Sequence, residues 1–217
     1  MTPSLEVQEI SRFFQEYRAL APTSFSLKPG EVVVVSGQNG SGKTTLLHCL
    51  SGLLRPSGGT VRVGGYDLYE DEVEAKKRLA FVADIPRFYT ELTAWEHLEL
   101  IALAHSVQEG FEERAEAILN EMDLWEARDL YPHNYSRGMR LKLGLALAFI
   151  RPFDVLILDE PTSALDPQSV DQLVEKLRQT AAQGASVLFT SHNLSVIETL
   201  QAQNWVMEQG VLTPQTL

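Results

Sequence analysis

Cysteine is almost missing from this chain. Cys49 is the only one among 217 residues, so no internal disulfide can form, which fits a reducing compartment. Its apolar neighbours mark it as core filler, not a nucleophile. Long hydrophobic runs are missing too: none reaches the roughly 20 residues needed to span a bilayer. The N-terminal stretch MTPSLEVQEISRFF lacks the basic region and apolar segment of a secretory signal. Basic residues are in deficit, with 18 Lys and Arg against 29 Asp and Glu and a net charge of -11. An acidic surface disfavours nucleic acid or anionic lipid as a general partner. It suits the basic cytoplasmic loops of a membrane protein. Internal repeats, low-complexity tracts and Pro/Gly/Ser-rich linkers are also absent, so one domain with an insertion is expected, without tandem domains.

What is present reads as α/β. LEVQEI and SFSL are strand candidates, and EVVVVSG is a β-branched run fit for a buried central strand. TTLLHCLSG reads as a helix closed by Gly52, and TVRV as a strand between turns. The middle is helical: TAWEHLELIALAHSV with Thr93 as N-cap, FEERAEAILNEMDL, and RLKLGLALAF. The last third returns to alternation, with strands DVLILDE and ASVLFTSH, helices PQSVDQLVEKLRQTAAQ and NLSVIETLQ, and a terminal hairpin NWVMEQGVL.

The loop Gly37-Gln38-Asn39-Gly40-Ser41-Gly42-Lys43-Thr44-Thr45 follows the buried strand and opens a helix. Its G-x-x-x-x-G-K-[ST] pattern in that context predicts a nucleoside triphosphate site. Glycines let backbone N–H groups surround the phosphates, Lys43 neutralises their charge, and the Thr44 hydroxyl is a Mg2+ ligand. At the end of VLILDE, Asp159 suits the cation's shell and Glu160 suits a general base acting on water. His192 ends another strand, FTSH, and is placed to bond a γ-phosphate or orient the attacking water. One stretch remains, YSRGM at Tyr135–Met139. It puts a hydroxyl and a glycine at a helix start, where unpaired N–H groups and the macrodipole attract anions.

In order and spacing these parts resemble the ATP-binding subunits of ABC transporters over nearly the whole chain. GQNGSGKTT is similar to the family's Walker A, VLILDE to Walker B, SALD to the D-loop with Asp166 near a dimer interface, and TSH to the switch histidine. The resemblance implies a P-loop NTPase α/β fold: a mixed sheet flanked by helices and an N-terminal antiparallel β subdomain, formed by residues 1–84 and 150–217. A helical subdomain is inserted at about 87–149. It implies ATP and Mg2+, hydrolysis by Glu160 with His192 and Lys43, and an adenine-stacking aromatic at Phe14, with Phe13 and Tyr17 as fallbacks. YSRGM stands where the family has its signature. Ser136, Gly138 and Met139 of one subunit would then cap ATP held by a second ATP-binding subunit, in a homodimer or heterodimer.

Two departures accompany the likeness. Arg137 and Met139 replace the usual Gly and Gln, a form like that of ABC-2-type exporters, and Arg137 is expected to face solvent or a carboxylate of the partner. Asp84 takes the place of the Q-loop glutamine as a cation or water ligand. Arg87, Phe88 and Tyr89 fall in the zone that meets membrane subunits. The resulting expectation is an ATPase subunit that powers export through separate permease subunits, at the cytoplasmic face of the membrane. The alternatives are a non-transport ABC ATPase of DNA repair or translation, and a catalytically impaired module.

Overall fold

The structure, a computed structural model, describes residues 2–214 apart from the side chain of Leu194. It opens with a long antiparallel hairpin, β1 (Leu5–Phe14) and β2 (Tyr17–Leu27). Both strands run past the short stretches expected from the pattern. Register shifts along β1 break the apolar alternation there, and the turn carries Gln15 at φ 55 in place of a glycine. β3 (Val32–Ser36) is the expected central strand, and α1 (Lys43–Ser51) follows it and ends at Gly52 in the left-handed conformation. β4 (Gly58–Val63) pairs with β1, and β5 (Tyr66–Asp67) pairs with β4.

The sequence reading has no counterpart to α2 (Glu72–Lys77) or β6 (Leu79–Val82), and β5 lies where a turn was expected. The helices α3 (Ala94–Ala104), α4 (Phe111–Glu121) and α5 (Arg137–Phe149) come next. Thr93 caps α3 as expected, and Glu96 bonds back to complete a capping box. The remainder alternates as read: β7 (Val155–Leu158), α6 (Pro167–Ala182), β8 (Ser186–Thr190) and α7 (Leu194–Leu200), then the hairpin of β9 (Gln203–Glu208) and β10 (Val211–Pro214).

Two sheets result. One is antiparallel, in the order β2-β1-β4-β5; the other is mixed, in the order β10-β9-β3-β8-β7-β6. All pairings in the second sheet are parallel except β9 with β10. Alternate residues of its strands feed two cores. Val33, Val35, Ile157 and Leu188 pack with α1 and the antiparallel sheet. Val34, Leu156, Leu158 and Phe189 face the other way, onto α5, α6 and the helical segment. At about 25 cal/mol per Å² of apolar area, burial on both faces holds this sheet rigid, and its loops are aimed from a fixed frame.

Candidate nucleotide site

Parallel pairing brings separate loops together. Val35 lies opposite Thr190, Leu158 opposite Phe189, and Val82 opposite Leu158. The C-terminal ends of β3, β8, β7 and β6 therefore align, and the residues after them form one edge: Gly37, His192, Asp159 with Glu160, and Asp84. Ligands of open α/β sheets bind at such an edge. A cleft of about 490 Å³ opens there, lined by Phe14, Tyr17, Asn39, Gly40, Gly42, Lys43, Thr44, Thr45, Asp84, Asp159 and Glu160.

Close packing demands the loop's glycines. A Cβ on Gly37 would lie 2.2 Å from the Met207 carbonyl oxygen, and one on Gly42 would lie 2.7 Å from that of Ala19. Lys43 is almost fully buried. Its ammonium donates to the carbonyls of Gly37 at 2.6 Å and Gln38 at 3.2 Å, so the cation folds over its own loop. Ser41 is buried with its hydroxyl unpartnered.

Behind the loop lies a hydrogen-bond chain. The Thr44 hydroxyl donates to Asp159 Oδ2 at 2.9 Å, and the Thr190 hydroxyl donates to Asp159 Oδ1 at 2.7 Å. Thr190 also accepts from the Glu160 N–H at 2.8 Å. Glu160 sits at φ 46, a left-handed conformation that costs an L-residue about 1–2 kcal/mol. The Thr190 bond and the bond from Ser163 N–H to the Glu160 carbonyl hold it there. Glu160 Oε1 is buried without a hydrogen-bond partner; His192 Nε2 comes within 3.0 Å but outside hydrogen-bond geometry. Burial raises the Glu160 carboxyl above the ordinary carboxylate range, against the lowering influence of His192 and Lys43. A half-exposed His192, also 3.4 Å from Lys43 Nζ, closes this group.

Phe14 and Tyr17 stand at the rim of the cleft, about half and two-thirds exposed. The Arg12 guanidinium covers the Phe14 ring at 4.7 Å from its centroid. Ser136, Gly138, Met139 and Asp166 do not line this cleft. The Ser136 hydroxyl caps α5 by accepting from Met139 N–H at 3.2 Å. A Cβ on Gly138 would meet the Ala164 carbonyl oxygen at 2.7 Å, so that glycine is also needed for packing within its own chain. Asp166 is the N-cap of α6, and its bonds to Ser169 hold its carboxyl below the usual range.

Arg137 has an intrachain partner that the sequence did not indicate. Its side chain is more than half exposed, as the solvent-facing expectation has it, but it is also tied to its own chain. Its guanidinium donates to Asp84 Oδ1 at 2.8 Å in the same chain, and Ser163 Oγ donates to that same oxygen at 2.6 Å. Of Arg87, Phe88 and Tyr89, Phe88 packs against the core, while Arg87 and Tyr89 are exposed. Buried His97 holds this stretch by accepting from Tyr89 N–H at 3.0 Å. Sequence reading missed Thr190, Ser163 and His97; Thr190 alone carried a signal, its place directly before the Ser-His pair.

Among the described residues, no group of three or more His, Cys, Asp or Glu side chains could hold a metal unaided. Thr44 and Asp159 instead present two adjacent oxygen donors, and Asp84 lines the same cleft. That donor set fits a hard cation that takes its remaining ligands from phosphate and water, as Mg2+ does.

Residues 20–163 match the family model for ABC transporters. The methionine import ATP-binding protein MetN of Chlamydia caviae is 32% identical over 97% of this chain and 64% of its own length. The ABC-type transporter ATP-binding protein EcsA of Bacillus subtilis is 32% identical over 89% of this chain and 79% of its own length. The chain thus spans about 64% of the MetN relative. A solved structure of an ATP-binding subunit of an ABC transporter superposes with a TM-score of 0.93 at 31% identity, covering 100% of this chain and 90% of that one. A dimeric ATP-binding cassette bound to ADP and Pi shares the fold, with a TM-score of 0.87 at 22% identity over 98% of this chain and 100% of that one. No helix among the described residues is long and apolar enough to cross a membrane. The chain belongs to the ABC transporter family and takes its place among the ATP-binding subunits.

Proposed function

We propose that this chain hydrolyses ATP to power transport through separate permease subunits, working at the cytoplasmic face of the membrane. The observation that carries this reading is Glu160 Oε1: a buried carboxylate oxygen without a hydrogen-bond partner, with His192 at 3.0 Å, in the cleft of about 490 Å³ that Lys43 also lines. Lys43 and the N–H groups of the Gly37–Thr45 loop bind the phosphates, with Ser41 as a further donor. Glu160 takes the proton of the attacking water, and His192 orients that water or the γ-phosphate. Bound Mg2+ supplies Lewis-acid stabilisation of the phosphate oxygens, held by Thr44 and Asp159, with Asp84 available in the same cleft.

Residues 1–84 and 150–217 form the nucleotide-holding part in this reading, and residues 87–149 a helical part. Ser136, Gly138 and Met139 at the head of α5 lie outside their own chain's cleft, which supports their service to ATP held by a second ATP-binding subunit, like or unlike this one. Asp166 belongs beside that interface, and Phe14 stacks on adenine with Arg12 backing it. For direction we propose export, on the form of Tyr135–Met139. The relatives' names include both methionine import and linearmycin resistance. Substituting Glu160→Gln tests the chemistry: ATP affinity is kept within a few-fold and turnover falls by more than about 100-fold, nearly 3 kcal/mol of barrier. Parental turnover in that variant would remove the base assignment.

A further inference from the structure

Asp84 and Arg137 are 53 residues apart in sequence and paired in space. Asp84 follows β6 and lines the nucleotide cleft together with Lys43, Thr44, Asp159 and Glu160. Its Oδ1 accepts from both Arg137 and Ser163, and the Arg137 guanidinium also reaches Ser163 Oγ at 3.2 Å. Three segments meet at this oxygen: the end of β6, the first residue of α5, and the loop after Glu160. Arg137 stands at the positive end of the α5 macrodipole, in a first turn with no acidic residue. Asp84 is the carboxylate that offsets that adverse placement, and Arg137 in turn neutralises an anion facing a site for a polyanion.

We propose that Arg137 is a positioning residue acting on Asp84, so that this ion pair sets how strongly nucleotide binding depends on a divalent cation. The proposal rests on the nucleotide reading above. While paired, Asp84 neither repels bare triphosphate fully nor offers its carboxylate fully to a cation. Without Arg137 both effects grow. Bare ATP binds more weakly because an unbalanced carboxylate lines its cleft. Cation-loaded ATP binds more tightly because that carboxylate is released to the metal.

The test is equilibrium binding of a fluorescent ATP analogue to the parent, Arg137→Gln, Arg137→Lys, Asp84→Asn and the Asp84→Asn/Arg137→Gln pair, in excess Mg2+ and in EDTA. The readout is the ratio of the Kd in EDTA to the Kd in Mg2+. Both side chains are partly exposed, at 57% for Arg137 and 33% for Asp84. An exposed pair is worth only a few-fold in an equilibrium constant, so Arg137→Gln should raise the ratio by about 2- to 5-fold. Arg137→Lys keeps the charge and stays within about two-fold of the parent, and Arg137→Gln has no effect on the ratio once Asp84 is Asn. An unchanged ratio in Arg137→Gln, or the same change with and without Asp84, overturns the inference while leaving the nucleotide reading standing. A parent chain that bound neither form of the nucleotide would overturn both.

Discussion

Thr190 offers the sharpest test of how the sheet frame controls the site. Its hydroxyl donates to Asp159 and accepts from the Glu160 N–H, and the residue is fully buried at 0% exposure. Thr190→Val keeps the shape and removes only the hydroxyl. Asp159 Oδ1 then loses a bond to a charged group, worth about 1.5–3 kcal/mol, and the Glu160 N–H loses a neutral one worth about 0.5–1.5 kcal/mol. Water has no route to replace them at a sealed position, so the expected loss of stability is about 2–4 kcal/mol. For a chain of this size that lowers the melting temperature by roughly 5–15 °C. The Glu160 backbone, held at φ 46 against its intrinsic preference, also loses one of its restraints. A carboxylate displaced by about 1 Å costs on the order of 100-fold in turnover. Urea unfolding and steady-state ATPase rates, read at a temperature where both proteins are folded, measure the two effects, with Thr190→Ser as the control that restores the hydroxyl. A Val variant within 0.5 kcal/mol of the parent and equally active would refute the reasoning, because these bonds would then hold nothing in place.

Two further outcomes follow from particular contacts. Gly144 lies in α5 where an added Cβ would come within 2.9 Å of Pro86 Cγ and 3.1 Å of Val82 Cγ1. Overpacking costs about 1–3 kcal/mol and the gain in helix propensity returns at most about 1 kcal/mol, so Gly144→Ala should lower stability by about 0.5–2 kcal/mol in urea unfolding; a stabilised variant would contradict the packing. Burial raises the Glu160 carboxyl above its ordinary 4.5. If Glu160 is the base proposed above, it must be deprotonated, so turnover is lost as pH falls through that raised value, and the acid limb of the rate profile should lie above 4.5. A limb at or below that value, in protein that remains folded, would assign it to another group.

The site was legible where its chemistry is local in the chain. Gly37–Thr45 needs only a strand before it and a helix after it, and α1 supplies that helix. The Asp159–Glu160 pair and His192 end apolar runs, so their place at a sheet edge followed from the pattern. Thr190 was not legible in the same way. Its role exists only because β8 pairs with β7, with Phe189 opposite Leu158, which puts the Thr190 hydroxyl beside Asp159. The Asp84–Arg137 pair has the same origin, since each residue seen alone was a substitution in a motif and their contact depends on α5 packing near β6. Among the fold elements, β6 spans only Leu79–Val82 and gains its hydrogen bonds from β7, far along the chain. The β1–β2 turn escaped notice because Gln15 and Glu16 carry no turn signature.

The central proposal is that a working ATP site needs a second subunit's Ser136 and Gly138, which lie outside the cleft lined by Lys43 and Glu160 in their own chain. ATPase rate per subunit, measured across protein concentration with ATP and Mg2+ in excess, tests this most directly. The account predicts a rate per subunit that climbs with concentration and levels off as pairs form. A rate per subunit that stays constant down to concentrations where the protein sediments as a monomer would contradict it.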